Sequence, residues 1–343
     1  MSGQRPRLVP GGLSPSGLGM LCAIAWCLTP ALAASRLLSD AGKTSDALDS
    51  EIRETVYASI SPADAKGFLL FNQWQGARRE FPQSLEHYRA TARVRPSREL
   101  RAIVLQPLGD FGREETRVLE SLREYTAIFF QLPARLEKAI PLEVPGKELY
   151  RNVALGHRHG IYDKQYDGDR VLTELLAPRL PADALLYLGI STADLYCSEL
   201  NYVFGVAGFD KRVGVYSLCR YYPEFWGLPP GAGDDVKGLR RACKILNHET
   251  GHMLGLHHCV FYRCSMNYSN SLQELDDTPI HYCPVCHRKL MWNLGFDPVK
   301  RYMALRDFYE RHGMSAEAEW LAVRIPRWKT VAAQEDLKKV QDE

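Results

Sequence analysis

Residues 248–258 read HETGHMLGLHH, and this stretch decides how the centre of the chain folds. His248 and His252 are four residues apart, and each residue turns a helix by ~100°, so their side chains lie ~40° apart on one helix face. Gly255 can adopt the positive φ that ends a helix and turns the chain back. His258, three residues further on, can then approach the two helical histidines.

Three converging imidazoles are suited to zinc, because catalytic zinc sites use three protein ligands and leave a fourth position open. Glu249 projects to another side of the helix, where it is poorly placed as a ligand but well placed to contact a water molecule at the metal. The extended H-E-x-x-H-x-x-G-x-x-H pattern has a mechanical reason for each fixed position. It predicts a catalytic zinc on His248, His252 and His258, with Glu249 as general base of peptide-bond hydrolysis.

The residues before this motif predict a long amphipathic helix that starts after the loop at 231–235. Its apolar face would consist of Leu239, Ala242, Cys243 and Leu246. Its solvent-exposed face would consist of Lys237, Arg240, Arg241 and Lys244.

Upstream of this helix, apolar runs and helical patterns alternate, which predicts an α/β layer. The predicted elements are a strand at 102–105, a helix over 114–129, a helix around 171–176 and a strand at 184–190. Two further runs, at 202–206 and 213–218, are joined by a short connection with turn residues. They predict an antiparallel pair of strands, one of which forms a sheet edge.

Nine cysteines are present, and four of them fall within 28 residues, at Cys259, Cys264, Cys283 and Cys286. Their C-x4-C and C-x-x-C spacings suit tetrahedral thiolate ligation of a second, structural zinc. Disulfides are the alternative, which an oxidising compartment would permit. His281 and His287, which flank the C-x-x-C pair, are candidate substitute ligands.

The run H-E-x-x-H-x-x-G-x-x-H-C-x4-C-x-M followed by C-x-x-C resembles the archaemetzincins, a branch of the metzincin metallopeptidases. The resemblance covers roughly Arg101 to Gly295. It implies an α/β (α+β) zincin fold with a twisted mixed sheet, an antiparallel edge strand, an active-site helix, and a substrate cleft between edge and helix. It also implies a C-terminal helical part that carries the four-cysteine zinc site.

The same resemblance implies two zinc ions per chain, one catalytic on the histidines and one structural on the cysteines. It assigns Met266 to the methionine turn beneath the catalytic metal, where an apolar floor positions the histidines. Tyr268 follows two residues later and is a candidate contact of the metal or of the developing oxyanion.

The N-terminal residues 1–34 have the features of a signal peptide. Arg5 and Arg7 precede an apolar run, and Ala31-Leu32-Ala33 has the small-x-small form of a cleavage site. We therefore expect export, to a secreted or periplasmic location. A retained N-terminal anchor and a cytoplasmic protein with a misassigned start are the alternatives. The rest of the chain is predicted to consist of an N-terminal extension at 35–98, a metallopeptidase domain at 99–325 and a C-terminal helical tail at 326–343.

Composition excludes some partners of this 343-residue chain. Its 43 basic and 41 acidic side chains give a net charge of +2, so no overall field attracts nucleic acid or an anionic membrane. No stretch after the leader approaches the ~20 apolar residues of a membrane span. The expected partner is a peptide or protein substrate, and the oligomeric state stays open. The alternative function is a zinc-stabilised peptide- or protein-binding module with little turnover, since the sequence has no recognisable specificity pocket or propeptide cysteine.

Overall fold

The residues that the computed structural model describes are 82–153, 163–198, 200–209, 211–326 and 329. The predicted signal peptide, most of the predicted extension and nearly all of the predicted C-terminal tail lie outside these residues. Within the described ranges, no helix is both long enough and apolar enough to cross a membrane.

The described part of the chain contains eight strands and eight α-helical segments, seven of which are labelled here. The strands are β1 (Ala102–Leu108), β2 (Ala134–Leu136), β3 (Tyr150–Asn152), β4 (Lys164–Asp167), β5 (Ala184–Ser191), β6 (Asp194–Tyr196), β7 (Gly205–Ala207) and β8 (Val213–Ser217). The helices are α1 (Leu85–Thr91), α2 (Arg113–Phe130), α3 (Gly168–Arg170), α4 (Asp234–Met253), α5 (Leu272–Asp277), α6 (Pro284–Leu294) and α7 (Pro298–Arg311). Residues 315–326 are also helical.

The main sheet has five strands in the order β2-β1-β5-β8-β7. Four of them are parallel, while β7 runs antiparallel to β8 at the edge. The predicted mixed α/β sheet and its antiparallel edge strand are therefore confirmed. The edge strand is shorter than the apolar run suggested, since it begins only at Gly205. A second, three-stranded sheet of order β3-β4-β6 was not predicted.

Both faces of the main sheet are covered, which explains the continuous apolar run of β5. All eight residues of β5 are buried, with Leu186 and Leu188 in the same core as α2 and α4. Tyr187 points to the other face and joins a second core with residues 171–176. That segment, Val171–Leu176, is π-helical, so its predicted helical character is confirmed but its type differs.

Helix α4 carries the histidine motif, and its solvent-exposed face was predicted wrongly at two positions. Arg241 and Lys244 are buried because α5 packs over them. Arg241 makes a bidentate ion pair with Asp276 at 2.6 and 2.7 Å. Lys244 Nζ donates to the backbone oxygens of Leu275 and Asp276, both at 2.8 Å. These bonds satisfy carbonyls that the end of α5 would leave without partners.

Residues 82–98 pack onto the predicted domain, although the sequence assigns them to the extension. Leu85, Tyr88 and Val94 are buried, and two of them belong to the main core with α4 and α6. The boundary at residue 99 stays a prediction.

Candidate active site

The end of α4 and the turn after it bring the three predicted imidazoles together. His248 and His252 lie on α4, Gly255 has a φ of +88° just after the helix, and His258 follows on the returning chain. The Nε2 atom of His252 lies 3.0 Å from that of His248 and 3.2 Å from that of His258. The remaining Nε2 pair, His248 and His258, is 3.3 Å apart. The glycine thus has the turning role that the sequence suggested.

Backbone carbonyls fix which ring nitrogen of two histidines carries the proton. Nδ1 of His248 lies 2.9 Å from the oxygen of Ser265, and Nδ1 of His252 lies 2.8 Å from the oxygen of Leu256. A carbonyl oxygen only accepts, so each Nδ1 donates its hydrogen and each Nε2 keeps a lone pair. Burial lowers the pKa of His248 to about 3, with the His258 ring as a second cause. These rings are therefore neutral at ordinary pH.

The Nε2 lone pairs of His248 and His252 face each other at 3.0 Å and repel unless a cation lies between them. A tetrahedral zinc with bonds of ~2.05 Å to nitrogen places its donor nitrogens ~3.3 Å apart. The donor type, the tautomers and the spacing therefore all fit a zinc ion held by the three Nε2 atoms. The three protein donors leave a fourth position open.

Glu249 is buried between α4 and the edge strand β7. Its carboxyl lies so close to Gly205 that a methyl group there would be 2.7 Å from Oε1. The same methyl group would be 2.8 Å from Cβ of Tyr216. Burial raises the pKa of Glu249 to about 8. Because Gly205 has no side chain, it leaves the space that the Glu249 carboxyl occupies. The sequence analysis missed this role, although a glycine in a strand often marks a place where another group approaches the backbone closely.

The turn that follows the histidines places Met266 and Tyr268 beside the cluster. Met266 is fully buried, and its thioether packs so tightly against Gly251 of α4 that any side chain there would collide with it. Its backbone oxygen accepts a hydrogen bond of 2.9 Å from the N–H of Cys259. The ring of Tyr268 lies 5.4 Å from that of His258. The turn therefore packs Met266 against α4 and places the ring of Tyr268 beside His258, at the rim of the histidine cluster.

The four clustered cysteines form a second, fully buried group. The ligand atoms of Cys259, Cys264, Cys283 and Cys286 all lie within 4.8 Å of one another. Cys259 Sγ and Cys283 Sγ are 3.5 Å apart, whereas a disulfide needs ~2.05 Å. None of the four forms a disulfide. Zinc–sulfur bonds of ~2.3 Å would place sulfurs ~3.8 Å apart, so the predicted four-thiolate zinc site fits this geometry.

The two candidate substitute ligands, His281 and His287, pack against aromatic side chains. His281 stacks on Trp320 at 3.8 Å between ring centroids. His287 packs against Phe296 and Tyr302. Neither belongs to the two groups of residues that could hold a metal in the described part of the chain.

Comparison with known proteins shows the family of this chain. The model of a protein family, described as peptidase family M54, matches residues 116–292. The chain belongs to peptidase family M54. This M54 peptidase is accordingly a zinc metallopeptidase, a hydrolase whose substrates are peptides or proteins.

Named relatives of this M54 peptidase are archaemetzincins. Archaemetzincin-2 of Homo sapiens is 30% identical over 262 residues, which cover 68% of this chain and 71% of the relative. The archaemetzincin of Pyrococcus furiosus is 34% identical over 194 residues, covering 56% of this chain and 94% of the relative. The crystal structure of an archaemetzincin from Methanopyrus kandleri is similar with a TM-score of 0.44 and 25% identity, over 59% of this chain and 99% of that one.

Proposed function

We propose that His248, His252 and His258 hold the catalytic zinc of this peptidase and that Glu249 is its general base. The observation that carries the proposal is the convergence of three Nε2 atoms at 3.0–3.3 Å. When bound, zinc supplies Lewis acidity, which lowers the pKa of a water molecule and polarises the scissile carbonyl.

Glu249 handles the protons of the reaction. Its carboxylate takes a proton from the attacking water and passes it to the leaving amine, so it acts first as base and then as acid. A buried carboxyl with a pKa of about 8 is protonated at neutral pH. Positive charge at the neighbouring histidine site favours its anionic form, so the loaded site makes the carboxylate available as a base.

The edge strand and the residues below the histidines complete a metzincin-like arrangement. An extended peptide would pair with β7 (Gly205–Ala207) by strand addition, which places a peptide bond near Glu249. Met266 forms the floor under the histidines. Tyr268 would donate a hydrogen bond to the developing oxyanion, a role that its ring contact with His258 supports.

Glu249→Gln tests this assignment. The variant keeps the three imidazoles, so we expect it to retain zinc while turnover falls by about 10²- to 10⁴-fold, the range attributed to general acid–base catalysis. Digestion of a broad peptide library, with and without a chelator, measures turnover without knowledge of the substrate. Zinc content by mass spectrometry is the control. Undiminished cleavage by Glu249→Gln would contradict the base assignment, and no chelator-sensitive cleavage by the wild type would favour a binding module.

A second, structural zinc on the four cysteines is part of the proposal. Their burial, their free state and the 3.5 Å sulfur separation support it. We expect two equivalents of zinc per chain by mass spectrometry of the purified protein. One equivalent together with two disulfides would contradict this part of the proposal.

Export through the predicted leader at residues 1–34 also stays a proposal. It is supported by the basic lead, the apolar run and the Ala31-Leu32-Ala33 site. Mass determination of the protein from its native source should give a chain that starts at or near Ala34. A chain that retains residues 1–34 would contradict cleavage.

A further inference from the structure

A segment outside the matched family region lies against the turn that carries the third histidine. The family model matches residues 116–292, whereas residues 82–94 precede it by more than twenty positions. Ser84 accepts a hydrogen bond of 3.0 Å from the N–H of His87 and so caps α1. Gln83 and Tyr88 are buried. We call residues 82–94 the N-terminal clamp.

The clamp bonds to three backbone groups of the turn between His252 and His258. Gln83 donates from Nε2 to the oxygen of Gly255 at 2.9 Å and accepts from the N–H of His257 at 3.2 Å. Tyr88 donates from its hydroxyl to the oxygen of Leu254 at 2.8 Å.

The turn needs such partners because a helix end leaves its last carbonyls unsatisfied. Its N–H groups bond back to α4: those of Leu254, Gly255 and Leu256 donate to the oxygens of Thr250, His252 and Gly251. The oxygen of Leu256 accepts from His252. The oxygens of Leu254 and Gly255 depend on the clamp, since α4 offers them no donor. A buried carbonyl without a partner costs ~1–3 kcal/mol, so loss of the clamp would allow the turn to rearrange.

Helix α6 anchors the clamp from the other side. Lys289 Nζ donates to the backbone oxygen of Gln83. Asn293 Nδ2 donates to the Tyr88 hydroxyl at 2.8 Å and to the oxygen of Val94 at 3.1 Å. The same helix begins at the C-x-x-C pair, with Cys283 as its N-cap. The clamp therefore connects the helix of the cysteine cluster with the turn of the histidine cluster.

We propose that the N-terminal clamp is a positioning device for the catalytic metal: Gln83 and Tyr88 hold the 254–257 turn so that His258 meets the other two imidazoles. This inference rests on the proposed zinc site. It assigns the residues from 82 onwards to the working enzyme. Processing that removed them would reduce zinc binding at the histidines and would not activate the enzyme.

The test is the zinc affinity of the histidine site in the full chain, measured by chelator competition. Gln83→Ala removes both the donor and the acceptor, so we expect zinc to bind about 10- to 100-fold more weakly, the loss typical of residues that orient metal ligands. Gln83→Glu keeps the acceptor but turns a carboxylate oxygen towards the oxygen of Gly255, which repels it, so zinc should bind at least as weakly as in Gln83→Ala. Thr91→Ala is the matched control, because Thr91 is exposed on α1 and bonds only within that helix.

Cobalt substitution separates the two sites, since thiolate-to-cobalt charge-transfer absorption arises only at the cysteines. We expect that absorption to be unchanged in Gln83→Ala, while the weaker cobalt bands of the histidine site are lost first. Tyr88→Phe, which removes a single oxygen, carries the test if Gln83→Ala does not fold. If these variants bound zinc with wild-type affinity but had a lower Tm, the clamp would be only a packing element. That result would overturn this inference and leave the proposed function standing. A wild type without zinc at the histidines would overturn the proposed function as well.

Discussion

The histidine cluster and the cysteine cluster are neighbours in the chain, because His258 and Cys259 are adjacent, yet they differ in the number and the burial of their donors. The histidine cluster has three donors, and His248 and His258 are partly exposed. The cysteine cluster has four donors, and all of them are buried. Three donors leave one zinc position for chemistry, whereas four leave none. The difference supports the proposed division, in which one short turn serves catalysis on one side and stability on the other.

The two clusters are also supported by opposite kinds of backbone group. Carbonyl oxygens of Ser265 and Leu256 receive the Nδ1 hydrogens of two histidines and keep their Nε2 atoms available. Backbone N–H groups of Met266 and Cys283 point to the sulfur of Cys264, at 3.4 and 3.2 Å. Such N–H groups stabilise a thiolate, just as carbonyls stabilise a neutral imidazole with a fixed tautomer.

The largest effect should come from a change in the cysteine cluster. Cys286→Ser removes one of four donors, so we expect loss of one zinc equivalent and of several kcal/mol of unfolding free energy. A loss of about 3 kcal/mol corresponds to a fall in Tm of about 6–12 °C for a domain of this size. Thermal denaturation and metal analysis check both.

Cys243→Ala is the matched control for that variant. Cys243 is buried on α4 outside the cluster, so its replacement should leave both zinc equivalents in place.

His258→Ala sharpens the comparison between the two clusters. It should also lose one zinc, together with all measurable turnover, but with a smaller fall in Tm because the elements around α4 stay connected. Equal losses of Tm in Cys286→Ser and His258→Ala would break the division between the two sites.

A smaller effect is expected where the edge strand meets Glu249, the proposed general base. Gly205→Ala would push Glu249 away, because the new methyl group would lie 2.7 Å from Oε1. A displacement of about 1 Å can cost about 10²-fold in rate, so we expect a loss of kcat of that order with zinc content unchanged. Peptide cleavage and metal analysis measure the two quantities.

Gly208→Ala is the control on the same hairpin, since its methyl group would meet only the flexible Lys211 side chain at 3.0–3.4 Å. We expect nearly wild-type turnover from it. If Gly205→Ala cleaved peptides as fast as Gly208→Ala, the proposed place of Glu249 in the reaction would be wrong.

The smallest effect concerns Tyr268 at the rim of the histidine cluster. Tyr268→Phe removes one neutral hydrogen bond to the developing oxyanion, worth about 1 kcal/mol, so kcat should fall about five- to tenfold. Zinc affinity should not change, because the ring is retained. Single-turnover kinetics on the substrate found in the peptide-library digest measure the effect. A Tyr268→Phe variant with unaltered kcat would exclude the phenol from the reaction.

Local spacing by itself determined the helix, the convergence of three histidines, the cysteine group and the antiparallel edge strand. These features follow from the helical period, from the conformational freedom of Gly255, from the C-x4-C and C-x-x-C spacings, and from two apolar runs joined by a short turn. The same local reasoning placed Arg241 and Lys244 in solvent, because a helical wheel cannot show that α5 will cover that face.

Only the tertiary structure decided which distant groups support the site. Gln83 reaches Gly255 across 172 positions of the chain, and Gly205 comes to Glu249 from the edge of the sheet. The sequence names the ligands because their geometry is set within a few turns of one chain segment. It cannot name their supports, because close packing brings those residues together only after strands, helices and the N-terminal clamp have assembled.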